Sequence, residues 1–241
     1  MHAAARQAWE SAAAERFARR GLVLLLLLLL PVPVLATEAA ARVAELEGKV
    51  IVVGADGRTR TLAADGEVFA GDTVATLGKA RTLLVFRDES RYELGPDTRL
   101  RVRAFRYGGP PDESVASTEI LKGLFRYVSG LLARTRPEAI AIRTSVATIG
   151  IRGTHVIGEV TETSARIGLL EPEQGHAPSA IEVSNEHGSV TIDRPNYMTE
   201  IPDAHSPPSP PRPMDLRTMT RNLRAVSTMR RIIAPRAVRL H

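Results

Sequence analysis

The sequence predicts an all-β fold, a sandwich or β-roll of many short strands, over most of the chain. Apolar and polar residues alternate with a period of two in one short segment after another. Turn signals separate these segments at intervals of roughly 8–12 residues, as in sandwiches and barrels. Cysteine is absent and aromatic residues make up only 4% of the chain, so the core must be built from Val, Ile, Leu and Ala.

The expected strands belong to one β-domain over residues 48–201. Asp56-Gly57 signals a tight hairpin turn after the first strand, and residues 185–188 form the loop between the last two. Around Leu100, apolar residues alternate with arginines, so that strand should have one apolar and one basic face. The expected strands are 49–53, 73–76, 80–86, 99–104, 154–161, 165–170, 180–183 and 189–192.

Segment 121–132 fits two patterns. Its leucines, Phe125 and Val128 recur at helical spacing, whereas Leu124, Arg126 and Val128 also alternate as in a strand. Gly123 and Gly130 disfavour a helix interior. The pattern alone therefore leaves helix and strand open.

Residues 1–36 carry the pattern of an export signal. Arg16, Arg19 and Arg20 closely precede an apolar run at 21–36 that contains seven consecutive leucines and ends in Val-Leu-Ala. This run is shorter than the ~20 residues needed to cross a bilayer. We therefore expect a signal helix cleaved after Ala36 and a periplasmic or exported protein. The alternative is an uncleaved anchor that spans the inner membrane once, with its arginines in the cytoplasm.

The C-terminal part differs in composition from the β-domain. Six prolines in 202–213 predict a stiff, extended linker that could span on the order of 35 Å. Residues 214–234 predict a basic amphipathic helix. Three roles stay open for this helix: packing on the β-domain, contact with an anionic membrane, or binding of another protein.

The charge is distributed unevenly along the chain. Residues 37–204 contain 20 Lys and Arg against 24 Asp and Glu, a net charge of −4. Residues 205–241 contain eight arginines and one aspartate, a net charge of +7. An acidic body argues against nucleic-acid binding by the domain itself.

Residues 139–154 change their apolar alternation partway. Ile140 and Ile142 share a face with Thr144 and Val146, and the apolar positions then shift to Ile149 and Ile151. Side chains alternate strictly along a regular strand, so the shift requires a bulge or a bend. Gly150 and Gly153 bracket Arg152, and we expect the bend there.

Four short elements, in this order, resemble the FecR family: Gly71-Asp72-Thr73-Val74, the apolar run 83–86, Asp88-Glu89-Ser90, and Thr144 to Thr154 ending in Gly-Ile-Arg-Gly-Thr. The resemblance covers roughly residues 48–165, and 183–190 resemble the downstream extension of exported members. It implies a β-rich envelope domain that is extended around Leu124. The motif residues that it marks, with a structural or interaction role, are Gly71, Asp72, Asp88, Ser90, Thr144, Gly150, Arg152, Gly153 and Thr154.

Three departures from the family pattern are visible. Glu89 stands where the family usually has Gly, and we expect this turn to change type, because positive φ is unfavourable for other residues. Ser145 replaces a usual Pro. The best-known relatives hold an extracytoplasmic-function sigma factor through a cytoplasmic domain, but only 20 residues precede the apolar run here, too few for such a domain.

Arg152 has two interpretations: it organises a ligand or partner site, or its guanidinium ties the bend to a carboxylate, with Asp72 or Asp88 as the expected partner. The arginines Arg99, Arg101 and Arg103 also have two interpretations. They form a face for a polyanion such as an envelope polysaccharide, or a solvated face paired across strands with acids such as Glu93.

No pattern in the sequence indicates catalysis or a cofactor. The acids at 65, 67 and 72 lack the spacing of a calcium loop, and the six histidines show no i, i+4 pair for zinc. Nucleophile elbows, phosphate-binding loops and dinucleotide fingerprints are absent. We therefore predict an exported, non-enzymatic envelope protein with a sensory or interaction role and another envelope protein as partner. The alternatives are a membrane-anchored FecR-type sigma regulator in iron-uptake signalling and a polysaccharide-binding β-protein.

Overall fold

The protein is described here by a computed structural model that covers residues 38–153, 155–172 and 179–227. These residues form fifteen strands, and the all-β prediction is confirmed. The strands are β1 (Ala41–Val53), β2 (Thr59–Leu62), β3 (Glu67–Val68), β4 (Thr73–Phe86), β5 (Arg91–Leu94), β6 (Arg99–Arg106), β7 (Val115–Val128), β8 (Ile140–Arg143), β9 (Thr148–Arg152), β10 (His155–Val160), β11 (Ala165–Leu169), β12 (Ala180–Asn185), β13 (Gly188–Ile192), β14 (Tyr197–Ile201) and β15 (Arg212–Pro213). Two α-helices accompany them, α1 (Leu132–Thr135) and α2 (Leu216–Val226), together with short 3-10 helices at Pro111–Glu113 and Pro137–Ala139. The first strand begins seven residues before the predicted domain boundary.

The strands form one continuous sheet that runs through two layers. The first layer has the order β2-β1-β4-β6-β7-β8-β9-β12-β13, and the second has the order β3-β1-β4-β5-β7-β10-β11-β14-β15. Only β7 and β8 pair in parallel; all other pairs are antiparallel. The long strands β1, β4 and β7 belong to both layers.

Each of these three long strands carries a glycine with positive φ where it passes between the layers, at Gly48, Gly78 and Gly123. At Gly123 the φ angle is 105°. A Cβ at this position would lie 2.3 Å from Thr98 Oγ1, so both the backbone conformation and the space require glycine. Bends of this kind let one strand contribute to two sheets.

A single hydrophobic core lies between the layers. Its fully buried side chains include Phe125 and Tyr127 from β7 and Leu84 from β4. The Tyr92 hydroxyl lies 2.6 Å from Thr118 Oγ1. Burial raises the pKa of both Tyr92 and Tyr127, so these phenols stay neutral and act as packed, hydrogen-bonded core residues.

The ambiguous segment 121–132 is mainly a strand, as the family resemblance indicated. It runs in β7 to Val128, and only from Leu132 does the short α1 follow. Within β7 the pairing partner changes at Gly123. Before this residue β7 pairs with β6, and after it β7 pairs with β5.

The bend in 139–154 lies elsewhere than expected. The alternation shifts because β8 and β9 form an antiparallel hairpin whose turn is Thr144–Ala147, and Ile142 pairs with Ile149. The prediction that the bend lies between Gly150 and Gly153 was therefore wrong. Gly153 does have positive φ, 53°, and follows the last residue of β9, before the chain enters β10 in the other layer.

The proline-rich segment 202–213 does not run away from the domain as a spacer. It turns at Asp203–Ser206 and returns along β14, where Ser209 N donates to Glu200 O and Met214 N donates to Asn196 O. Proline is compatible with this edge position because an edge strand leaves one side of its ladder unpaired.

The segment predicted as a basic helix at 214–234 is described up to residue 227. Within it, α2 packs against β7, and Val226 is buried. The leader at 1–36 and the residues after 227 lie outside the described ranges. Within those ranges, no helix is long and apolar enough to cross a membrane.

Candidate interaction face

Asp72, the first polar motif residue, fixes a turn. Its carboxylate is almost fully buried and accepts hydrogen bonds from Arg60 Nη2 and Phe69 N, both at 2.9 Å. Arg60 also donates to the Glu67 carbonyl oxygen. Gly71 has positive φ, and a Cβ there would lie 2.8 Å from Ala55 Cβ. These residues hold the entry to β4 in place.

Asp88 and Ser90 form a second turn. Asp88 Oδ1 accepts hydrogen bonds from Ser90 N and Ser90 Oγ, and the whole Asp88 side chain is buried. Glu89 has a φ of 67°, a left-handed conformation that glycine favours. The expectation that the turn would avoid this conformation was therefore wrong.

Thr144 holds a third turn. Its Oγ1 accepts hydrogen bonds from Val146 N and Ala147 N, which fixes the hairpin between β8 and β9. Ser145, at the usual Pro position, donates to the Thr161 carbonyl oxygen. The polar motif side chains on Asp72, Asp88 and Thr144 thus accept hydrogen bonds from backbone amides at turns, and Ser90 Oγ donates to the Asp88 carboxylate. Thr154 lies outside the described residues.

Arg152 is exposed at the end of β9, and its expected partners are engaged elsewhere. Asp72 pairs with Arg60, and Asp88 bonds within its own turn. The prediction that Arg152 ties a bend to one of these carboxylates is therefore wrong for both. Its side chain instead belongs to the outer surface of the first layer.

This outer surface contains a patch that we call the basic face. Inward residues of β6 to β9, such as Leu100 and Ile142, are buried, so the residues between them point outward. Lys122 joins them because a register shift after Ile120 places it opposite Arg99. The register aligns the outward cations across four neighbouring strands. The basic face consists of Arg99, Arg101, Arg103, Lys122, Arg143 and Arg152.

Two acids lie among these six cations, which leaves the face with a formal charge of +4. Glu119 lies 2.9 Å from Arg103 Nη1 and 3.8 Å from Arg101 Nη1. Glu182 on β12 is exposed. The sequence predicted that the arginine stripe pairs with an acid across strands, with Glu93 as an example. The acid is Glu119, and Glu93 pairs with Arg126.

The outer surface of the second layer is different. Met214 packs there with Ile157 and Leu170 in a small apolar cluster, and α2 packs nearby against β7. Arg126 on this side is bonded to Glu93 and to His155. The C-terminal segment therefore covers the outside of the second layer, while the five arginines of the basic face are exposed to solvent.

Sequence reasoning found the stripe on β6 but missed Lys122, Arg143 and the place of Arg152 beside them. The alternation of Ile140 and Ile142 already indicates that Arg143 points outward. The grouping of these cations depends on which strands pair and in what register, and the alternation within a single strand does not reveal this.

Within the described residues, no three His, Asp or Glu side chains come together in a way that could hold a metal ion. A cleft of about 700 Å³ beside the start of β1 is lined by Arg42, Arg87 and three acids. The fold and its exposed chemistry define a β-rich domain whose most distinctive surface is a flat, charged face.

Comparison with known families tests the resemblance seen in the motifs. The FecR protein family model matches residues 72–173, and the resemblance is confirmed. The match begins at Asp72 and includes all the motif residues except Gly71, together with the basic face.

Two crystal structures of a candidate anti-sigma factor from Parabacteroides distasonis ATCC 8503 are similar to this chain. Each has 12% sequence identity and a TM-score of 0.46, and the similarity covers 61% of this chain and 62% of that chain. The chain thus spans less than two thirds of the length of these proteins. No curated protein matches the sequence.

Proposed function

We propose that this protein is a non-enzymatic interaction module of the cell envelope, in which the FecR domain presents the basic face to another envelope protein. The observation that carries this proposal is that the polar motif residues and the exposed charged residues have different roles. The motif side chains on Asp72, Asp88 and Thr144 bond to turns. Five exposed arginines, in contrast, lie together on the outside of the first layer.

Two further features support this function. Up to residue 227, the C-terminal segment packs on the outside of the second layer. It contacts the first layer at the end of β12, where Asn185 Nδ2 donates to the Ser206 carbonyl oxygen, and the five arginines of the basic face stay exposed. The basic face also lies on a body whose net charge is −4 over residues 37–204, so its positive charge is local. Local charge on a flat surface directs association with a complementary partner.

Photo-crosslinking in the cell that produces the protein tests this proposal. A photoreactive phenylalanine is placed at Ser117 or Ser184 on the first layer, and at Thr163 in the turn between β10 and β11 as the control. We expect a defined protein adduct from the two face positions and none from Thr163. Equal adducts at all three positions, or none at the face, contradict the proposal.

The FecR domain also favours a regulatory form of this function, in which residues 21–36 anchor the chain as part of an envelope signalling system. Mass spectrometry of the N-terminus in the cell separates the two forms. A chain that starts near Thr37 in the soluble fraction supports the exported module. An intact N-terminus in the membrane fraction supports the anchored regulator.

A further inference from the structure

Two positive side chains, Arg99 on β6 and Lys122 on β7, lie directly opposite each other in the sheet. Like charges in such positions destabilise a strand pair. Among the described residues, no acid pairs with either one, because the neighbouring Glu119 is engaged with Arg101 and Arg103. The domain therefore carries a local repulsion that a bound anion would relieve.

Arg143 and Arg152 extend this excess of positive charge across the sheet. Arg143 is aligned with Glu119 of β7 and with Thr148 of β9. Neither arginine has an ion-pair partner among the described residues, and both are exposed. Four cations without an acidic partner thus lie on neighbouring strands, from β6 to β9.

The surface between these cations is flat. The outward positions carry small side chains, and a Cβ at Gly150 would meet nothing closer than 3.8 Å. At ~4.8 Å per strand spacing, the nine strands of the first layer span about 38 Å. With strands of about 15 Å, the outer surface of this whole layer measures roughly 600 Å², and the basic face on β6 to β9 occupies its middle. One partner contributes ~800 Å² to a standard protein interface. The small outward residues are Ser117, Ala141, Thr148, Gly150, Ala180 and Ser184.

We propose that the basic face binds an acidic surface of a partner protein, whose carboxylates pair with Arg99, Lys122, Arg143 and Arg152. This inference rests on the proposed interaction module and names the chemistry of its partner. A flat face fits another folded surface, whereas small ligands bind in concave sites. Glu119 and Glu182 lie among the cations, so the face favours a partner with both signs of charge over a uniform polyanion.

The first experiment measures binding of the full chain to a glutamate–lysine copolymer with glutamate in excess, by fluorescence anisotropy at low salt. The face variant carries R99Q, R101Q, R103Q, R143Q and R152Q. The matched control carries R217Q, R221Q, R224Q, R230Q and R231Q, which removes the same charge from the basic C-terminal part. We expect the face variant to lose about tenfold or more in affinity and the control to lose much less.

The second experiment uses R99Q alone and separates binding from structure. Removal of the like charge opposite Lys122 should leave the melting temperature unchanged or raise it, while the affinity for the copolymer falls. R58Q, at an exposed turn outside the face, should change neither quantity. A lower melting temperature for R99Q with unchanged affinity would show that Arg99 supports the fold, and it would overturn the proposal.

Further outcomes distinguish this inference from the proposed function. Alginate or phosphatidylglycerol vesicles that bind more tightly than the copolymer, through the same five arginines, would overturn the protein partner in favour of a glycan or a lipid. If the face crosslinks to a protein in the cell but the face variant keeps its copolymer affinity, only the acidic partner is refuted. If the crosslinks themselves are absent, the interaction module is refuted.

Discussion

The ring of Phe125 packs on Gly158, its direct partner in the pairing of β7 with β10. A Cβ at Gly158 would lie 2.3 Å from Phe125 Cε1 and 3.0 Å from Ile167 Cδ1. Gly158→Ala should therefore destabilise the protein by about 1–3 kcal/mol, because an overpacked core displaces its neighbours. Urea unfolding measures the loss.

The matched control for this substitution is Gly150→Ala on β9. A Cβ at Gly150 would have its nearest neighbours at 3.8 Å. Alanine should therefore be neutral or stabilise by up to about 1 kcal/mol through lower chain entropy. Equal losses for the two variants would show that strand glycines here are not selected by packing against Phe125.

Gly130 touches the Asp88 turn through backbone atoms. A Cβ on Gly130 would lie 2.1 Å from the Asp88 carbonyl oxygen, which also accepts a hydrogen bond from Leu131 N. Backbone cannot move aside as a flexible side chain can, so Gly130→Ala should cost at least about 3 kcal/mol. Gly109→Ala, where no atom lies within 4 Å, is the control. A melting temperature for Gly130→Ala close to that of the control would refute this contact.

Asp72 should contribute to stability much more than a surface ion pair does. Asp72→Ala removes the acceptor of Phe69 N and Arg60 Nη2 at a buried site. We expect a loss of about 1–3 kcal/mol in chemical denaturation, the cost of leaving such donors without a partner. Arg58→Ala removes an exposed pair with Asp56 and should stay within about 0.5 kcal/mol. Similar effects for the two variants would argue against a structural role of the motif aspartate.

Met214 should hold the returning C-terminal segment on the domain. Its methyl group occupies the space beside Gly168, and its side chain packs with Ile157 and Leu170. Met214→Ala should speed hydrogen exchange at Ser209 N and Met214 N, which bond to β14 and the residue before it. Pro210→Ala, at an exposed position of the same segment, should leave both rates unchanged. Unaltered exchange in Met214→Ala would mean that other contacts hold the segment.

Glu200 should make part of the stability pH-dependent. Hydrogen bonding and charge from Arg166, and charge from Arg212, lower the pKa of Glu200 below its ordinary value of 4.5. Because the folded pKa is lowered, this stabilisation is present above pH 4.5 and is lost as the pH falls through the folded pKa. The side chain is 30% exposed, so the effect should stay below about 1 kcal/mol.

Comparison of the wild type with Glu200→Gln tests this pH dependence. The difference between their unfolding free energies should be largest at neutral pH and disappear in strong acid. Glu186→Gln, at an exposed position in the loop between β12 and β13, is the control and should show no such trend. A difference that stays constant across the range would contradict the expected ion pairs.

The place of the bend near Arg152 illustrates the limit of reading single strands. The shift from Ile142 and Val146 to Ile149 was visible in the sequence, since side-chain alternation is a local property. Its cause was assigned to the two glycines, because glycine is the usual marker of unusual backbone. The actual cause is a hairpin held by the Thr144 hydroxyl, a side-chain acceptor for two backbone amides. Such a cap is hard to recognise before the pairing of the two strands is known.

The proline-rich segment shows a similar limit. Its composition predicts an extended chain, and the segment ends in the short strand β15. Whether an extended chain leaves the domain or lies along an edge strand depends on contacts such as those of Met214 with Gly168. Those contacts join residues far apart in sequence.

The sequence by itself determined the all-β class, the turns at Asp56-Gly57 and at 185–188, the FecR resemblance and the alternation that places Arg99, Arg101 and Arg103 on one side of a strand. These features depend on neighbouring residues, whose periodicity and turn chemistry act locally. The tertiary structure alone decided that Asp72 pairs with Arg60, that β1, β4 and β7 serve both layers, and that Arg143 and Arg152 join the arginine stripe in one basic face. Those outcomes depend on strand register, which is fixed by packing across the whole core.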